Sequence, residues 1–281
     1  MAKIESLNLL NSEDGKVYLA EKYKTLYDNI SKDILSSKLK NKDLSGVPNS
    51  GTMTARRFVT AEIVNYGTAR QAGKGKAVRI DEVDVKIDQD KELVEEVESK
   101  DIQLSGIDNL ISKRIKKQTL TLENLLDEEF FKEAKAGAGK NKVNYKDTDK
   151  IEEILEDLIQ AVETTKNDYV KGVKRNYINL VLSPRLYGKM RVYIDKIKGT
   201  DQEEIFLFHG VKVYSSINLP DKTDAIAMVD GAVAQPVKID VQDVEKVNFS
   251  NAYIFGAYVT YGTKAVSPDL IYVLEKSKAT A

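Results

Sequence analysis

The chain contains no cysteine and a single histidine, His209, in 281 residues. The first absence excludes disulfide staples, thiolate metal sites and cysteine nucleophiles. The second excludes a histidine-rich metal centre. Aromatic residues are scarce, at 7%. A charge excess of either sign is also lacking: 43 basic and 44 acidic residues leave a formal net charge of −1. That balance excludes a strongly basic nucleic-acid binder and a highly acidic disordered tail. No apolar run approaches the ~18 residues of a membrane span. The opening residues, Met1-Ala2-Lys3-Ile4-Glu5, have no signal-peptide core, so a soluble product without a recognisable export signal is expected.

What is present is 42% hydrophobic and 31% charged, long enough for one large domain or two small ones around a sizeable core. From Glu13 to Leu39, the positions of Leu19, Tyr23, Leu26, Tyr27, Ile30 and Ile34 have the spacing of an amphipathic helix. The polar stretch from Lys38 to Gly51, with Gly46 and Pro48, reads as a flexible linker. Such an arm can fold back on its own core or lie on a neighbour.

The period then changes. The runs Ala55–Asn65 and Val78–Asp88 have the alternation of strands with one polar face. A parity switch between Ile80 and Val83 predicts a bulge near Asp81 or Glu82. Between the runs lies a glycine-rich, basic tip with Arg70, Lys74 and Lys76, followed by Arg79. The pattern predicts a long hairpin whose arms reach roughly 33 Å. A lone ribbon of that length is marginal in water and needs a partner surface.

A helix is predicted over Asp108–Ala136, about 43 Å long. Thr119 and Thr121 are points where it can break, and Gly137 and Gly139 end it. A second helix, with Asp147 or Asp149 as cap, has its apolar face at Ile151, Ile154, Leu155, Leu158, Ile159 and Val162. After it the pattern predicts a strand over Asn176–Leu182 and a short helix over Arg185–Ile194. Strands follow at Glu204–Phe208, Val211–Tyr214, Ile226–Val229, Val233–Ile239, Tyr253–Tyr261 and Leu270–Leu274. The class is α+β. A compact domain of this length has a radius of gyration near ~19 Å, too small to enclose such a hairpin, helix and arm. An extended, flat protomer that finishes burying its surfaces against copies of itself resolves the mismatch, which points to a shell or lattice.

Catalytic patterns fail on their spacing. The segment Ala134–Asn141 superficially resembles a phosphate loop, but Ala134 and Asn141 stand where the motif requires Gly and Ser or Thr, and it follows a helix. Gly67, Gly73 and Gly75 do not make a dinucleotide fingerprint. The cations of the tip suit either phosphates or an acidic patch on a neighbouring subunit. The carboxylates Asp127, Glu128 and Glu129, and Glu152, Glu153, Glu156 and Asp157, fall on polar helix faces, where solubility puts them. His209, beside Gly210, has no serine–acid pattern near it and reads as a turn or interface residue. No catalytic, cofactor-binding or metal-ligating residue is assigned.

The order of parts (arm, linker, long basic-tipped hairpin, long helix, α/β lobe, final strand pair) resembles the major capsid protein of tailed bacteriophages, the Hong Kong 97 fold, also used by encapsulin nanocompartments. The stretch Tyr258–Leu274 is similar to the final segment of many such proteins from phages of low-GC Gram-positive bacteria, and Ala232-Val233-Ala234-Gln235-Pro236 to a stretch shortly before it. The resemblance implies an N-terminal arm and linker over 1–51 and an extended loop over 52–90 that reaches across an adjacent subunit. It implies a peripheral domain with a spine helix over 91–148, an axial domain over 149–240, and a return to the peripheral domain over 241–281. Arg70, Lys74, Lys76 and Arg79 would then make inter-subunit contacts. The implied partners are the chain itself in pentamers and hexamers, scaffolding and portal proteins, and enclosed double-stranded DNA held weakly, with no membrane and no cofactor. The implied location is the virion, assembled in the host cytoplasm. Some relatives form a Lys–Asn cross-link. Lys74, Lys76, Asn248 and Asn251 are of the right types, but their flanking residues establish no match.

Overall fold

The structure, a computed structural model, describes residues 12–44, 51–60, 65, 79–98, 107–146, 148–198, 204–242 and 245–277. The arm is helical, as its spacing predicts, but bent: α1 (Glu13–Asp33) and α2 (Leu35–Leu39) meet at Ile34, which is extended (φ −68°, ψ 134°). Packing causes the corner. Ile34 is buried, and the Ser36 N–H, which an unbroken helix would bond to the preceding turn, donates instead to Asp127 Oδ1 at 2.8 Å. The beginning of the expected linker is tied down. Asn41 donates its N–H to Val233 O at 2.8 Å, and Gly231 donates to Leu39 O at 2.9 Å. The arm thus lies on its own chain, with Tyr18, Leu19 and Ile34 sharing a core with Ile111 and Ile115.

Strands β1 (Thr52–Phe58) and β2 (Ile80–Lys86) form the expected hairpin, in unbroken antiparallel register from Thr52↔Lys86 to Phe58↔Ile80. The bulge expected at Asp81 or Glu82 is absent, because Ile80 does not face inward. It is 44% exposed, while Ala55 and Val85 are buried with Ala234 and Val266 at the hairpin's base. Residues 61–64 and 66–78, with Arg70, Lys74 and Lys76, lie outside the described residues.

Helix α3 (Ile107–Ala138) runs 32 residues without a break, about 48 Å. The threonines that threatened it donate to the carbonyls four residues back, Thr119 to Ile115 at 2.8 Å and Thr121 to Lys117 at 3.1 Å, so their hydroxyls are satisfied within the helix at a small cost that its packing outweighs. Gly137 does not end the helix but lies inside it, and a Cβ there would stand 2.4 Å from Ala265 Cβ. Gly139, at φ 54°, takes the left-handed position just past the end. Helix α4 (Ile151–Glu163) buries Ile154, Leu155, Leu158, Ile159 and Val162, as predicted. Asp149 does not cap it: its carboxylate accepts from Lys146 N–H at 2.8 Å. Asp147 lies outside the described residues. Helix α5 (Pro184–Met190) is capped by Ser183.

Two sheets organise the remainder. In the smaller, β13 (Tyr253–Tyr261) pairs along its whole length with β3 (Gln89–Val97), a strand the sequence reading missed. On its other side β13 pairs with β11 (Val237–Val241) and then β12 (Glu245–Lys246). The larger sheet uses β4 (Lys142–Tyr145), β5 (Ile178–Leu182), β6 (Asp195–Lys198), β7 (Glu204–Phe208), β8 (Val211–Ser215), β9 (Thr223–Val229) and β15 (Ile271–Lys276). Its order is β4-β15-β9-β5-β8-β7-β6. A short pair, β10 (Val233–Ala234) with β14 (Lys264–Ala265), sits beside the hairpin base.

Helix α3 joins the sheets. Its first half places Ile111, Ile115, Leu122 and Leu126 against Phe255, Val259 and Tyr261 of the smaller sheet. Its second half places Phe130, Phe131 and Ala134 against Val181, Ile226 and Val273 of the larger one. The opposite face of the larger sheet carries Leu180, Leu182 and Ala227, covered by α4. This alternation explains why β5, apolar but for Asn179, is buried at all five residues, the Asn179 amide donating to Asp230 Oδ1 at 2.8 Å.

Candidate assembly surfaces

His209 and the carboxylates of α4, far apart in sequence, meet at one end of the larger sheet. Arg175 lies among them. It donates to both oxygens of Glu163, at 2.9 and 3.0 Å, to Glu156, and to the His209 carbonyl at 3.4 Å. His209 Nδ1 stands 3.2 Å from Glu156 and Nε2 3.7 Å from Glu152. The ring stacks on Phe208 at 4.2 Å. The Arg175 guanidinium beside Glu156 holds its carboxyl below the usual carboxylate range. A carboxylate held ionised in this way makes a poor proton shuttle near neutral pH. The group is a clasp that ties α4 to the β7–β8 turn, where His209 itself has a φ of 47°. Among the described residues, no group of three His, Cys, Asp or Glu side chains is arranged to hold a metal ion, and no helix is long and apolar enough to cross a membrane.

The hairpin is held at its root by a polar lock. Arg57 of β1 pairs with Asp269 at 2.7 Å, both side chains mostly buried. Its guanidinium also lies 4.1 Å from the Tyr169 ring. Asn167 donates to the other Asp269 oxygen at 2.5 Å, and the Tyr169 hydroxyl donates to Asp81 of β2. Thr60 N–H reaches Asp168 O at 2.9 Å. The loop after α4 thus fixes the direction in which the hairpin leaves the body. Between Arg57 and Thr60 the ribbon exposes Phe58 and its cross-strand partner Ile80.

No family model matches the chain, and no curated protein matches it. Solved structures do. A structure from Mycobacterium phage Che8 aligns over 86% of this chain and 91% of its own, with a TM-score of 0.60 and 15% identity. The capsid structure of cyanophage P-SCSP1u aligns over 88% and 89%, with a TM-score of 0.64 and 12% identity. A virus-like particle from Pyrococcus furiosus aligns over 92% and 99%, with a TM-score of 0.61 and 16% identity. The chain has the fold of a capsid protein.

Within that capsid fold, the α+β class and the arm, hairpin and long helix expected from the order of elements are all present. Of the four tip cations, only Arg79 lies within the described residues. It is exposed, and its carbonyl accepts from Val59 N–H at 3.1 Å. Other exposed apolar side chains went unremarked in the sequence reading. Phe249 is fully exposed in the turn between β12 and β13, marked in the sequence only by an aromatic residue among Asn248, Ser250 and Asn251.

Proposed function

We propose that the chain is the major capsid protein of a tailed bacteriophage. Many copies assemble into an icosahedral shell around double-stranded DNA. The shell forms in the host cytoplasm and becomes the head of the virion, with scaffolding and portal proteins as assembly partners. The observation that carries this reading is the extent of the match. The chain aligns with a phage capsid structure over 88% of its length, although sequence identity is only 12%.

In this reading residues 52–90 reach over an adjacent subunit, and Arg70, Lys74, Lys76 and Arg79 meet acidic side chains there. The smaller sheet with the first half of α3 forms the peripheral part. The larger sheet with α4 and α5 forms the axial part, whose ends gather into pentamers and hexamers. Of the returning segment 241–281, β13 belongs to the smaller sheet by its pairing and β15 to the larger. The subunit works by packing, strand pairing and charge complementarity. Its near-zero net charge suits a container, since a strongly cationic lining would hold DNA by counterion release and impede its passage.

Electron microscopy and sedimentation velocity on the purified chain test the proposal. Closed shells, flat sheets, or discrete pentamers and hexamers are expected. A monomer or dimer that neither a crowding agent nor a scaffold protein shifts would overturn it. Nuclease-protected DNA in particles from infected cells separates a phage head from a compartment filled with protein.

A further inference from the structure

The turn joining β12 to β13 carries two oddities at one residue. Ser250 N–H closes the turn on Val247 O at 3.2 Å, which makes Asn248 and Phe249 its central residues. Phe249 has a φ of 61°, at the second central position, where glycine or asparagine is usual. Its ring is also fully exposed. A side chain that is both conformationally strained and hydrated at the tip of a turn contributes nothing to the isolated subunit, and such strain concentrates at functional sites.

The opposite edge of the same sheet carries a counterpart. Between the outer edge of β3 and α3 runs an open groove of about 490 Å³. Its apolar lining is Leu93, Val94 and Leu110, with Lys113 and Lys117 on the helix wall and Glu92 on the strand wall. The charges beside the turn, exposed Glu245 and Lys246, are of opposite sign to those two walls. β12 lies on one side of β13 and β3 on the other, so the knob and the groove sit at opposite margins of one sheet.

We infer that Phe249 is an inter-subunit anchor, seated in the β3–α3 groove of a second copy of this chain. Glu245 meets Lys113 and Lys117, and Lys246 meets Glu92. The contact is head-to-tail, with different surfaces on the two partners, so it propagates around a ring or across a lattice and does not stop at a dimer. The inference rests on the shell reading for its second copy, and it names a surface remote from the hairpin tip.

Phe249→Gly tests it cleanly, because glycine accepts the positive φ while the ring is removed. The variant should melt at or above the wild-type temperature, yet require at least about ten-fold more protein to assemble, the scale of a lost aromatic anchor. The absence of cysteine supplies a second test without background. Oxidised particles of the double variant Phe249→Cys, Lys117→Cys should give a ladder of disulfide-linked chains, and each single variant should remain monomeric on a denaturing gel. Wild-type assembly by Phe249→Gly, or dimers from Phe249→Cys alone, would overturn the inference and leave the shell reading intact. Failure of the unaltered chain to form any particle would overturn both.

Discussion

Asp127 is the residue whose environment is most at odds with its chemistry. It sits on the buried face of α3, 8% exposed, and its carboxylate receives the Ser36 N–H at the start of α2. Burial pushes its pKa up, against the pull of the hydrogen bonds it accepts. The folded state therefore holds the proton to higher pH than the unfolded chain does. Stability from this group is fully present below the ordinary carboxylate pKa of about 4 and is lost as pH rises through the raised value. Asp127→Asn keeps the acceptor for Ser36 and removes the charge. Urea unfolding of Asp127→Asn should lose this downward slope with pH, and the variant should equal or exceed wild-type stability at pH 7. Equal slopes for the two proteins would refute the assignment. Nothing in the sequence distinguishes Asp127 from its neighbours Glu128 and Glu129, since its burial depends on α2 arriving from about 90 residues away.

Among the elements, those readable in the sequence bury one face against a partner of complementary period. Helix α4 is the clearest case, its five buried residues all falling on one stripe. Strand β3 shows why others were not legible. Asp90, Glu92, Glu95 and Glu96 occupy four of its nine positions, so it reads as a polar connection. It becomes a strand because β13 offers a full row of backbone groups, and Glu95 finds Arg114 of α3 at 3.3 Å. The bulge expected in β2 is missing for the converse reason: the alternation places Ile80 on a buried face that the hairpin does not have at that point. The hairpin depends on its root. Arg57→Ala, which breaks the Asp269 pair and the Tyr169 contact together, should speed hydrogen exchange of β1 and β2 amides several-fold while leaving β5 and β9 protected. Uniform acceleration throughout the chain would show that the lock holds the whole fold rather than the hairpin.

At the scale of the whole molecule, the long helix and the hairpin were legible before the topology that joins them, because each follows from local periodicity alone. The site proper was less legible. The tip cations are conspicuous in the sequence, whereas the Phe249 turn and the β3–α3 groove exist only once β3, β12 and β13 are assembled. Replacing Arg70, Lys74, Lys76 and Arg79 together by glutamate should slow assembly followed by light scattering. It should also abolish the retardation by salt expected of the wild type. Unchanged kinetics and salt response would place the contact elsewhere.

The strand β13 has a further consequence, for the timing of folding. Its partner β3 lies more than 150 residues upstream (Tyr253 opposite Val97), and β15 likewise returns from far along the chain to stand between β4 and β9. High contact order slows folding, and here both sheets wait for strands that leave the ribosome late. A nascent chain that has not reached Tyr253 has neither strand, so it presents no completed smaller sheet and no β12–β13 turn at Phe249. In the proposed shell, a copy that stops short of β13 lacks the Phe249 anchor's setting and is left out without a separate proofreading step.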